Sequence, residues 1–111
     1  MPSRTTPPPL PAPYDRMLSA YAAALAGSRL AGSSRVTYLS RTRRFLAWTA
    51  GTAAGDPRPL AEMAAAARTA RAYRLHLEGG GYARGTIANH LIAIEDFFAR
   101  TGLGSTGLRR S

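Results

Sequence analysis

Cysteine is absent from this 111-residue chain, which excludes a disulfide framework and any thiolate-bound metal. Lysine is absent as well, so all fifteen basic side chains are arginine, set against only six acids for a formal net charge of +9. Histidine is scarce too: His76 and His90 are the only two, and neither has a second ligand at helical spacing, so no zinc site is expected. No apolar run approaches the ~18 residues of a membrane span. The first thirteen residues, MPSRTTPPPLPAP, hold no apolar core of the kind a secretory signal needs. These absences lead to an expectation of a soluble cytoplasmic protein with no cofactor, no small-molecule substrate and no membrane partner. An excess of nine positive charges points to a polyanion, with nucleic acid ahead of acidic lipid. A GC-rich coding bias accounts for arginine replacing lysine, but not for the shortage of acids.

Proline and glycine divide what remains. Residues 1–13 carry six of the eight prolines and are expected to be a disordered, extended arm outside the core. A first helix is expected from Tyr14 to Ala26, buried through Leu18, Tyr21 and Leu25 and stopped by Gly27. A short turn follows, with Leu30 as its anchor. Ser33 is the expected N-cap of a second helix that runs to Ala50 and stops at Gly51. The segment GTAAGDPRP is a loop. A third helix is expected over Leu60–Glu78, broken near Ala65–Arg68, with Ala70, Tyr73, Leu77 and Leu75 inside. Gly79, Gly80 and Gly81 end it. The last helix, Arg84–Thr101, buries Ile87, Leu91, Ile94 and Phe98, with Phe97 alongside. Nothing alternates with period two. The expectation is all-α: a single four-helix bundle over residues 14–104, with a linker or tail at 105–111. Roughly 85 structured residues suffice for such a bundle, but not for a large enzyme fold with a deep pocket.

The second helix carries most of the functional information. Its sequence SSRVTYLSRTRRFLAW holds four arginines and no acid. Tyr38, Leu39, Phe45, Leu46 and Thr49 recur at steps of three, four and seven, which places them on one stripe. Thr37, Ser40, Arg41, Arg44 and, at the edge, Trp48 fall on the other side. Guanidinium groups displayed opposite a buried stripe suit phosphate. The plain alternative is a solvated helix face with no ligand.

The order of residues resembles a known family. Ser34, Tyr38, Phe45 and Trp48 on the second helix, Tyr73 and Leu77 before Gly79, Thr86, Ile87, Leu91, Phe97 and Phe98 on the last helix, and the closing GLG at 102–104 together resemble the N-terminal core-binding, SAM-like domain of tyrosine recombinases, the phage-integrase and Xer group. The match covers residues 14–104. Thr42 stands where that family usually has an apolar residue, Ile92 where a small polar one is common, and Glu95 where arginine is common. Ala31 and Ala83 replace N-cap serines, so capping is expected to shift to neighbours such as Gly32 or Ser33. The resemblance implies half of a clamp that lays its second and fourth helices on duplex DNA. The other half would be a catalytic recombinase domain, with further recombinase subunits as partners. The five tyrosines all lie in the bundle region, so the chain is expected to bind DNA in integration or recombination and not to cut it.

Site residues follow from both lines. On the second helix they are Thr37, Arg41 and Arg44, with Arg35 assisting from the first turn, while Arg43 covers core with its stem. On the fourth helix, Arg84, Thr86 and Asn89 lie at the N-terminal end, where backbone N–H groups favour phosphate and asparagine is able to read adenine. His90 sits at the rim of the apolar stripe, with packing as its first role and DNA contact as its second. Trp48, Phe97 and Phe98 are core or domain-interface residues before they are base-stacking ones. Three rival readings use the same residues: a basic helical module docking an acidic protein, a helix adsorbed to anionic lipid, and an inactive integrase remnant.

Overall fold

The computed structural model describes residues 9–107. Four α-helices run in order: α1 (Ala12–Ala26), α2 (Gly32–Thr52), α3 (Met63–Gly79) and α4 (Arg84–Thr101), with a single 3-10 turn at Arg58–Leu60 before α3. No strand occurs among the described residues. The all-α, four-helix expectation holds.

α1 starts two residues earlier than its periodicity suggests. Pro13 occupies the first helical turn, where its missing N–H costs no hydrogen bond and its fixed φ suits the helix. Leu10, just upstream, is buried in the core. The end of the proline-rich stretch therefore belongs to the folded body. The part of the arm before Pro9 lies outside the described residues. Tyr14 is fully buried and its hydroxyl donates to the Asp56 carbonyl, which ties α1 to the loop after α2. Tyr21 donates to Asp96 Oδ2 at 2.6 Å. Leu18, expected in the stripe, is only partly buried.

α2 is the longest helix and packs on all three others. It begins one residue before the expected cap. Ala31 takes the N-cap position with extended backbone and no side-chain cap, and Ala83 does the same for α4. Capping did not shift to a serine. Ser33 instead lies within the first turn, where its carbonyl accepts the Thr37 hydroxyl at 3.0 Å. The inward face carries Thr42, Phe45, Leu46, Thr49 and Ala50. Phe45 lies at the centre of an aromatic group, with its ring 5.1 Å from Tyr73 and 6.1 Å from Phe98. Tyr21 meets Phe97 edge-on at 5.3 Å, one of the geometries aromatic pairs prefer.

α3 is continuous where a break was expected at Ala65–Arg68. The run of alanines from Ala64 to Ala67 has the highest helix propensity, and the interruption falls earlier, between Leu60 and Met63. Thr69 bridges that step by donating to the Pro59 carbonyl and to Ala65, both at 2.9 Å. Ala70, Tyr73 and Leu77 face inward as expected, with Ala66 beside them, whereas Leu75 is 64% exposed. α4 ends at Gly102, whose φ of 80° lets the chain reverse so that Leu103 N–H donates to the Phe98 carbonyl. The following residues were expected to form a free linker. Instead Thr106 is buried, and both its N–H and its hydroxyl donate to Glu95 Oε1. Residues 108–111 lie outside the described residues.

Candidate nucleic-acid interface

Among the described residues, acids are kept away from one side of the bundle. α2 contains none, and α4 contains none before Glu95. Glu95 is committed to Thr106, and Asp96 to Tyr21 and Arg100. The three ion pairs among the described residues are Arg58–Asp56, Arg74–Glu78 and Arg100–Asp96. Among the described residues neither Arg41 nor Arg44 has a carboxylate partner.

The charges of both arginines bear on His90 of α4. The imidazole is 5% exposed and its Nδ1 has no hydrogen-bond partner. Burial holds its pKa below the ordinary histidine value, and the nearby Arg44 and Arg41 charges push it further down. His90 therefore packs more deeply than the half-buried, hydrogen-bonded place expected of it. Arg44 is exposed and Arg41 half-buried. Beside Arg44 runs an apolar groove of about 470 Å³ lined by Leu10, Pro11, Arg43, Ala47 and Ala50. Arg44 lines this groove too.

The remaining expected site residues divide. Thr37 shares the side of α2 that carries Arg41 and Arg44, but its hydroxyl proton is spent on Ser33. Arg84, Thr86 and Asn89 are exposed on the first turns of α4, which has no side-chain cap to occupy its leading N–H groups. Thr86 lies one turn before His90 and on the same side, while Asn89 is turned about 100° from His90 toward solvent. Arg35 does not join the group. It precedes Arg44 by nine residues, which is half a turn out of phase at about 100° per residue. Its guanidinium instead donates to the Ala26 carbonyl at 3.5 Å, where a cation favours the C-terminal end of the α1 dipole.

Tyr82 was missed by the sequence reading. It leaves the glycine turn between α3 and α4, and its hydroxyl accepts a hydrogen bond from Arg44 Nη2 at 3.1 Å. Its ring lies 6.4 Å from that of His90. The signal available was a tyrosine directly after three glycines, but nothing in the sequence joins it to a residue 38 positions earlier. Trp48, one turn after Arg44, stacks on His76 at 5.3 Å and leans on Tyr73 at 5.1 Å. It acts there as an interface residue between α2 and α3.

Among the described residues no group of three His, Asp, Glu or Cys is placed to hold a metal ion, and no helix is long and apolar enough to cross a membrane. No family model, curated protein or solved structure matches the chain.

Proposed function

We propose that this chain is a non-catalytic DNA-binding module of the core-binding kind found in tyrosine recombinases, laying α2 and the first half of α4 along the backbone of duplex DNA. One observation carries the reading: Arg44 of α2 donates to Tyr82 beside His90 of α4, Arg41 lies one turn before Arg44 on the same side of α2, and neither α2 nor the first half of α4 contains an acid. The family resemblance assigns the second and fourth helices to the duplex, and those same two helices border this surface. Phosphate is the favoured target because arginine presents a planar fork of donors to it and because the nearby N-terminal end of α4 adds partial positive charge. A catalytic recombinase domain or further recombinase subunits would supply the opposite jaw, in cytoplasmic DNA integration or recombination.

The test is a mobility-shift titration on a ~30-base-pair duplex at about 50 and 200 mM salt. Wild type is expected to bind with log affinity falling linearly against log salt. Arg41→Ala/Arg44→Ala is expected to bind at least about tenfold more weakly, with a slope shallower by about two. Unchanged binding by that variant removes α2 from the interface. Wild-type protein that leaves the duplex unshifted, yet captures an acidic protein, favours the protein-docking alternative.

A further inference from the structure

We propose that Tyr82 and Arg44 together form a seat for a single backbone phosphate, with the tyrosine hydroxyl as a second donor beside the guanidinium; this rests on the duplex-binding reading above. The inference begins with hydrogen-bond accounting. A phenol has one proton to give and lone pairs to receive. Arg44 Nη2 already occupies a lone pair of the Tyr82 oxygen. The proton has no acceptor among the described residues. Arg44 keeps further N–H groups, since a guanidinium carries five. Both side chains are exposed, Tyr82 by 39%. The pair therefore offers unspent donors side by side, and among the described residues Arg44 is in no ion pair. A phosphodiester oxygen accepts without donating, which is the complement of that offer.

The turn before α4 is built to hold the ring in place. Gly81 adopts φ of 79°, a conformation that favours glycine. At Gly80 an added Cβ would stand 3.1 Å from Tyr82 Cε2 and 3.3 Å from Cδ2, so the ring would have to give by a few tenths of an ångström. The missing side chain lets the ring fold back over the turn. The buried His90 ring lies 6.4 Å from that of Tyr82. A phenol braced between a turn and a buried imidazole loses little freedom when it binds. With the ring engaged this way, stacking on a nucleobase is disfavoured and donation through the hydroxyl is what remains.

The experiment uses the full chain on the same duplex at two salt concentrations, comparing wild type, Tyr82→Phe, Arg44→Ala and the double variant. Tyr82→Phe keeps the ring contacts and removes only the hydroxyl. It is expected to weaken binding about fivefold at both concentrations with an unchanged salt slope, because no charge is lost. Arg44→Ala is expected to lower the slope by about one. If both donors serve one phosphate, the double variant loses less than the product of the single losses. Gly80→Ala, which retains the hydroxyl but displaces the ring, is expected to mimic Tyr82→Phe. The seat is overturned if Tyr82→Phe binds as wild type does, or if the two losses multiply. If wild type itself fails to shift the duplex, the underlying reading falls and the seat falls with it.

Discussion

Two sides of this bundle treat charge in opposite ways. In the loop after α2, at the end of α3 and on the second half of α4, arginines are matched to acids: Arg58 to Asp56, Arg74 to Glu78, Arg100 to Asp96. Along α2 and the first half of α4 there is no acid at all, and there Arg41 and Arg44 bear on a buried histidine. Exposed pairs such as those on the first side are worth little in stability, so their absence from the second side costs the fold almost nothing. It does leave a concentrated positive field. Within the chain's net charge of +9, the acid-free stretches that carry Arg41, Arg44 and Arg84 lie on the two helices proposed to face DNA.

The strongest way to break this comparison is to remove the frame beneath both sides. Phe45 touches Tyr73 of α3 and Phe98 of α4 from the inner face of α2. Phe45→Ala should destabilise the domain by about 3–5 kcal/mol in chemical denaturation. A loss below about 1 kcal/mol would mean that the aromatic group does not organise the bundle.

A smaller change separates the core of α2 from its outer face. Thr42 is fully buried and its hydroxyl makes no hydrogen bond of good geometry. Thr42→Val should raise stability by about 1 kcal/mol, or ~4–8 °C in Tm, while duplex affinity stays the same. A fall in Tm would show that the hydroxyl has a partner, of which Tyr21 is the nearest candidate.

The smallest effect lies at the boundary between the two regions. Burial and then Arg44 and Arg41 keep the His90 imidazolium unfavourable in the folded protein. The unfolded chain takes up that proton near the ordinary pKa of about 6.5, before the folded chain does. Stability is therefore fully present above that pH and is lost as pH falls from the unfolded toward the folded pKa. His90→Gln should flatten the decline in Tm between about pH 7.5 and 5. An identical decline in the variant would place the titrating group elsewhere.

Sequence periodicity reached the helices, the glycine stops at Gly27, Gly79 and Gly102, and the inner faces of α2 and α4, because these follow from local spacing. It failed where local pattern and tertiary contact disagree. Pro11 and Pro13 suggested a free arm, yet proline is tolerated in the first helical turn, and Leu10 and Tyr14 close over the core. Thr106 looked like part of a linker until Glu95 received it. Arg35 shared a charge run with Arg44 but not a face. Tyr82 reaches Arg44 across 38 residues, and no single-helix pattern encodes such a contact. Of the candidate site, Arg41, Arg44 and His90 were legible as residues, whereas the bearing of both charges on His90 was not.

The comparison that tests the whole account most directly sets two charge-matched variants against each other on one duplex. Arg41→Ala/Arg44→Ala and Arg58→Ala/Arg74→Ala each remove two positive charges. The account predicts a loss of at least about tenfold and a salt slope shallower by about two for the first pair, with the second staying within about twofold of wild type. Equal losses from both pairs would show that binding follows net charge alone, and that the surface shared by α2 and α4 has no special part in it.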